Sequence, residues 1–458
     1  MKYIRNHHEL VDHGESRSRR LALECLSEAL SAADTYEGTR RVVSLDEASG
    51  SLLVGGITFS LSEIDRIFVI GAGKGSFPIA RALDEIIGEH IAGGIVMIKE
   101  YEEIRSLQRI QLLKSGHPVP DPNSLVGGEI VEQLAADLTA SDLVFACMTG
   151  GCSALVEIPV DDITLDDLKK LNELLLWTGA LIGEMNAVRK HVSRIKGGGL
   201  IRLLQPAQVV TLTQDTAPDS LPWPDPCLPD PSTFQGAIDV LKNYEIWDAC
   251  PQRIRDYLLR GLTDPSLETP KSSEGFNSTY MFDTGNQRSA CEAAVRYARK
   301  LGYEGVILST KIEGESKDVG TAMAGIAKEI RLYNRPFQSP CVIVSAGETS
   351  VSITEVAGKG GPNQELVAGF ARSISGYDGI VMAAIDSEGT DGVTDIAGGI
   401  ADGKTAMRAK ELNIDLFTAL KNHDTSPALA ALKDAIITGP TGTNVVNLRV
   451  LVIESQGE

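Results

Sequence analysis

The chain has 458 residues, 43% of them hydrophobic, and carries a formal net charge of −19. The length allows two or three domains that bury real cores without staples, and the acidity disfavours a nucleic-acid partner, because no large basic face offsets repulsion from a phosphate backbone. Seven scattered cysteines without CxxC or His-rich spacing argue for a reducing compartment, and the lack of a signal-like N-terminus or a run of ~18 apolar residues predicts a cytoplasmic protein without a membrane span.

In chain order, apolar spacing predicts a helix over 16–33, a strand over 67–70 and a helix over 77–87. A strand at 95–98, a helix at 124–138, a strand at 143–148 and one long helix at 165–184 follow, then a strand at 209–212 and a helix at 233–242. The remainder alternates in the same way: helix 287–301, strand 305–308, helix 318–333, strand 342–344, helix 364–373, and strands at 380–385 and 448–453. Apolar runs that feed glycine-rich loops and crossover helices are the pattern of buried parallel strands, so the fold class is α/β. A turn-rich stretch between Tyr257 and Phe276 marks a seam, dividing the chain into domains 1–265 and 275–458. The segment 217–231 holds prolines at 218, 222, 224, 226, 229 and 231, a density that forbids helix and central strand and predicts a stiff extended loop.

Four places carry chemistry. The strand at 67–70 runs into Gly71-Ala72-Gly73-Lys74-Gly75-Ser76, where glycines admit an anion to backbone N–H groups and Lys74 adds a point charge. The sequence fits neither standard nucleotide fingerprint, and a tight turn with a surface lysine explains it equally well. Thr149-Gly150-Gly151-Cys152-Ser153 follows another strand and suits a nest of N–H donors; Cys152, with no histidine close in sequence, reads as a nest residue rather than a nucleophile. The basic segment from Asn186 to Gly199 includes Arg189 and Lys196, seven apart and on one face if helical, placed to clamp an anion; a solvated basic patch is the alternative. Finally, Gly347-Glu348-Thr349, the segment Gly358 to Glu365, Asp386 through Asp395, and Thr438 through Asn444 combine Asp, Gly and Thr on strand-end loops, the setting in which α/β enzymes hold Mg²⁺ and phosphates.

Together with Gly116-His117-Pro118-Val119-Pro120-Asp121, Ile163-Thr164-Leu165 and Pro229-Asp230-Pro231-Ser232-Thr233-Phe234, these motifs extend over nearly the whole chain. In this ordered set the sequence resembles the glycerate 2-kinase family, also known by the older label hydroxypyruvate reductase, whose C-terminal domain is called MOFRL. The resemblance implies a Rossmann- or flavodoxin-like N-terminal α/β domain, a mixed-sheet C-terminal α/β domain and an active site in the cleft between them. It implies phosphorylation of the 2-hydroxyl of D-glycerate or a related hydroxy acid with ATP and Mg²⁺, and it allows a homodimer. On that resemblance Lys74, Asp215 and Asp386 are catalytic, and Ser153, Asn186, Arg189 and Lys196 bind the acid. Gly73, Gly150, Gly151, Glu348, Asn363 and Asn444 meet the nucleotide, and Asp215 and Asp391 meet the metal.

The chain departs from the family pattern at two positions: Pro362 stands where the family has an arginine, and Gln214 where it has an aspartate, with Asp215 beside it. Two further readings stand beside the kinase, one from the family's older label and the Gly-rich first turn, the other from these two departures. A hydroxypyruvate reductase is weakened by the missing third glycine of the first turn and by His90 standing near the place of the ribose-binding acid. A paralogue that binds ligand without turnover is the other.

Overall fold

A computed structural model describes residues 2–99, 106–215, 226–272, 274, 276, 278–353 and 358–456. Most of the proline-rich segment, 217–225, lies outside the described residues. The chain forms two α/β units, Thr35–Thr284 and a discontinuous one made of Met1–Asp34 with Gly285–Glu458. A single cut between 265 and 275 is therefore replaced by two, because the first helix packs with the C-terminal part of the chain.

The Thr35–Thr284 unit is built on a six-stranded sheet in the order Gln111–Ser115, Ile91–Lys99, Ile67–Ala72, Leu143–Met148, Gln208–Asp215, Thr279–Asn286. The first five run parallel, as the apolar runs predict. Chain order reverses between Ile67–Ala72 and Leu143–Met148, so the topological switch point, where doubly wound sheets bind ligands, falls between them. A small antiparallel sheet of Val43–Asp46, Ser51–Val54 and Ile57–Ser60 was not predicted; strands of four residues are too short for the spacing to declare itself. The long helix expected over 165–184 is two helices, Leu165–Trp177 and Ile182–His191, separated at Gly179, whose φ of +69° suits a residue without Cβ.

The other unit carries the sheet Glu304–Ser309, Cys341–Ala346, Asn447–Ile453, Ile380–Asp386, Gly398–Asp402, Ala435–Ile436. Only its first pair is parallel; every other pair is antiparallel. The parallel reading of the apolar runs fails here and the mixed sheet stands, because strands covered on both faces read as continuous apolar runs whatever their direction. One face presents Val342, Val344, Val381, Ala383 and Val450 to helices Ser16–Ala33 and Gln287–Lys300. The opposite face presents Ile343, Met382, Ala384 and Leu451 to Ser316–Tyr333 and Pro362–Ser373.

Helix Ser16–Ala33 joins this unit through more than its apolar stripe of Ala22, Leu26, Ala29 and Leu30. Arg19, fully buried, donates from Nε to Asp402 Oδ2 at 2.9 Å and from Nη1 to Asp434 Oδ1 at 2.8 Å and the carbonyl of Leu10 at 3.1 Å. Arg408 pairs with the other oxygen of Asp434 at 2.6 Å. No described helix is long and apolar enough to cross a membrane.

Replacing Arg19 with alanine leaves two buried carboxylates short of their countercharge. The expected loss is about 3–5 kcal/mol of stability, read by urea denaturation; a loss within error of zero contradicts the role given to this arginine.

Candidate active site

At the switch point Ala72 pairs with Met148, so the turns that follow both strands lie side by side. Lys74 N donates to Gly150 O at 2.9 Å, and Gly75 N donates to Thr149 Oγ1 at 2.9 Å. Gly73 has a φ of +128°, and a Cβ there would stand 2.2 Å from Thr149 Oγ1, so only glycine fits. Lys74 itself is half-buried. A Cβ on Gly151 would lie 3.4 Å from Lys74 Cγ and 3.0 Å from the His117 ring, which places the histidine of the Gly116–Asp121 motif beside both glycine turns. Gln214 is buried next to Gly75, where an added Cβ would meet its Oε1 at 3.0 Å. Asp215 closes the strand Gln208–Asp215, and its side chain is outside what the structure describes.

Three of the four residues assigned to the acid, Ser153, Arg189 and Lys196, line one cavity with Glu157, Asn172 and Pro118. The fourth, Asn186, is buried one turn before Arg189 on helix Ile182–His191 and does not line it. The helix ends at His191, so Arg189 and Lys196 do not share a helical face, although both line the cavity. Arg189 donates from Nε to Asn172 Oδ1 at 2.7 Å, and burial lowers its pKa. Lys196 is 4% exposed and paired with Glu157, which also accepts from Ser193 Oγ at 2.5 Å. Glu157 and Asn172 are residues that sequence reasoning missed. The signal for Glu157 was a lone carboxylate inside the apolar Leu155–Ile158 stretch; Asn172 gave none.

Behind this wall Lys190 Nζ donates to Asp230 Oδ1 at 3.0 Å, both side chains being buried. Asp230 also lies under the glycine turn after Lys196, where a Cβ on Gly197 would come within 3.0 Å of its Cβ. Burial pushes the Asp230 carboxyl up, but hydrogen bonds from Ser232 and the charge of Lys190 outweigh it and the net shift is downward.

In the discontinuous unit, the assigned residues gather at one end of the sheet. Asp386 ends its strand half-buried and accepts from Glu388 N at 2.9 Å. Opposite it in the ladder, Asn447 accepts from Asn363 Nδ2 at 2.7 Å. Asp391 is 1% exposed and serves the start of helix Pro362–Ser373: Oδ1 accepts from Asn363 N at 3.1 Å and Nδ2 at 3.0 Å, and Oδ2 from Gln364 N at 2.9 Å. Pro362 is the first residue of that helix, where a missing N–H costs nothing. Glu348 is exposed, and Asn444, buried, accepts from Val446 N at 3.2 Å. Sequence reasoning also missed Arg449, a charge in mid-strand. It is fully buried, donates from Nη2 to Gly347 O at 3.1 Å and to Thr349 Oγ1 at 3.3 Å, and burial lowers its pKa to about 10. Among the described residues no three His, Cys, Asp or Glu side chains group to hold a metal ion.

A glycine-rich anion cradle at a switch point, next to a cavity lined by arginine and lysine, defines an α/β enzyme that handles small anionic substrates. Family models match both parts of the chain: "Domain of unknown function (DUF4147)" over residues 21–259 and "MOFRL family" over 341–447. A glycerate 2-kinase from Pyrococcus horikoshii is 37% identical over 440 residues, covering 96% of this chain and 98% of that protein. A putative hydroxypyruvate reductase from Agrobacterium vitis is 36% identical over 392 residues, 85% of this chain and 87% of that protein. The crystal structure of a glycerate kinase from Thermotoga maritima superposes with a TM-score of 0.83 at 31% identity, covering 96% of this chain and 100% of that one. The chain belongs to the glycerate 2-kinase family.

Since the folded pKa of Asp230 lies below the ordinary carboxylate value, the stability it contributes is present at neutral pH and is lost as pH falls through that lowered value. Lys190→Met removes the cation, raises the pKa and moves this loss to higher pH, with a penalty at pH 7 of about 3–5 kcal/mol. Thermal unfolding of both proteins across the acid range checks this; superimposable pH profiles contradict it.

Proposed function

We propose that the protein transfers the γ-phosphoryl group of ATP, in the presence of Mg²⁺, to the 2-hydroxyl of D-glycerate or a close hydroxy acid. As a member of its family the chain is a phosphotransferase acting on glycerate; the nucleotide, the metal, the hydroxyl and the roles of single residues belong to this proposal. The observation that carries it is the cavity that joins Ser153, Arg189 and Lys196. A hydroxy acid offers a carboxylate, which suits the planar fork of Arg189, and hydroxyls, which suit Ser153 and Asn172. Asn186 is buried on the helix that carries Arg189.

Phosphoryl transfer asks mainly for positioning and for cations around the phosphates. Lys74 supplies a cation at the switch point, and Gly73, Gly150 and Gly151 leave the backbone open to phosphate oxygens. Glu348, Asn363 and Asn444 are proposed on the nucleotide side. Mg²⁺ in such enzymes is held by one or two carboxylates together with the phosphates, which fits a protein without a cluster of three ligands among its described residues; Asp386 and Asp215 are the candidates. Asp391, with both oxygens taken by the start of the Pro362–Ser373 helix, acts in this reading by holding Asn363 rather than by binding the metal. Bound Mg²⁺ neutralises charge on the phosphates. The seven cysteines, buried and in no disulfide, support a cytoplasmic setting.

ADP release from Mg-ATP with a panel of three- and four-carbon hydroxy acids tests this reading. Turnover with D-glycerate is expected, falling by about 10²-fold or more in Lys74→Ala. Arg189→Ala should raise KM for the acid about tenfold while changing kcat less. Release with another acid alone would mean that Gln214 and Pro362 respecify the site; no release with any acid, or an unimpaired Lys74→Ala, sinks the proposal.

A further inference from the structure

The residues that follow Arg189 and Val192 face a different space. Lys190, His191, Ser193 and Arg194, with Val160, Asp161, Arg202, Tyr257, Ser266, Leu267 and Thr269, line a second cavity of about 180 Å³ that shares no lining residue with the first. That volume exceeds what one water needs, and the walls are polar, so it is not a dry packing defect. Lys190, His191, Ser193, Tyr257 and Thr269 are each less than a tenth exposed and still border it.

Cations outnumber carboxylates among the side chains that line this space, with Asp230, Glu132 and Glu268 as partners from just outside it. Lys190, Arg194 and Arg202 stand against one lining carboxylate, Asp161, and that one is paired with Arg260. His191 has both ring nitrogens engaged, one at 2.7 Å from Ala187 O and the other at 2.8 Å from Glu268 Oε1. Arg194 pairs with Glu132 at 2.5 Å. Lys190 spends one of three ammonium donors on Asp230. The Arg202 guanidinium pairs with no carboxylate among the described residues; its one side-chain hydrogen bond there runs from Nη1 to the Glu268 carbonyl at 2.9 Å. Four residues with donor groups, an ammonium, two guanidinium groups and a phenol hydroxyl, therefore line one cavity. A tetrahedral phosphate accepts from several directions at once, whereas a planar carboxylate is served by one fork.

We propose that this cavity is a second anion site, which takes a phosphate-bearing small molecule and is separate from the cavity assigned to the hydroxy acid. The probe is inorganic phosphate, titrated calorimetrically into the full chain without nucleotide or acid, so that the outcome does not depend on turnover. Wild-type protein should bind it, Arg202→Glu should weaken binding by about tenfold or more, and Arg202→Gln by less. Arg189→Ala and Lys74→Ala, which alter the first cavity and the switch point, should leave the Arg202-dependent binding in place. Arg202 is exposed, so its variants fold, which circular dichroism checks. No binding to the wild type, binding that survives Arg202→Glu, or binding that disappears with Arg189→Ala or Lys74→Ala would each overturn the proposal.

Discussion

Thr149 sets the geometry on which the first unit's site rests. Its hydroxyl occupies the volume that a Cβ on Gly73 would need and accepts the Gly75 amide, while the next residue's carbonyl takes the Lys74 amide. Two adjacent strands are thereby joined beyond their last ladder bonds, and Lys74 leaves the backbone at a fixed angle. The glycines have no freedom in this arrangement: one is required by its φ and its neighbour together, and another brings the His117 ring against the turn. The basic wall is fixed in a similar way, by Glu157 holding Lys196 and Ser193 and by Asp230 holding Lys190. Carboxylates position the cations in both cases, so an acidic protein can present a basic surface at one place.

The discontinuous unit uses buried charge differently. Arg19 ties a helix from the start of the chain to Asp402 and Asp434, a polar contact with a definite register among apolar ones that lack it. Asp391 does for helix Pro362–Ser373 what an N-cap side chain normally does, but from a separate loop, so the helix and the loop order each other. Among the described residues Arg449 has no carboxylate on it, and its Nε and Nη1 find no acceptor. Local conflicts of this kind gather at functional sites and are offset by packing elsewhere in the fold.

Most of the architecture could be read from apolar spacing, because eight strands and eight helices carry long enough runs to show their period. Strand direction could not: Leu448–Val452 looks the same in a parallel and an antiparallel neighbourhood when both faces are covered. The break at Gly179 was hidden by leucines on either side that keep the helical spacing. Site residues in glycine-rich loops were visible as motifs. Glu157, Asn172 and Arg449 were not, since each acts through a partner far away in sequence, and a single polar residue in an apolar run does not name that partner. The domain seam was misplaced for a related reason: Arg19 and Asp434 are 415 residues apart, and no local composition records their contact.

The strand Asn447–Ile453 occupies the middle of its sheet, between Cys341–Ala346 and Ile380–Asp386, although it is the last strand to be made. A growing chain can therefore complete the unit Thr35–Thr284 early, whereas in the other unit Cys341–Ala346, paired with Glu304–Ser309, and Ile380–Asp386, paired with Gly398–Asp402, stay apart until the strand between them has been made. During that interval the apolar stripe of helix Ser16–Ala33 and both faces of an unfinished sheet stay exposed, as aggregation-prone intermediates do. Synthesis of Asn447–Ile453, rather than of any earlier segment, is the event that joins the two halves of this sheet, and its loss would take from helix Ser16–Ala33 part of the apolar surface on which it docks.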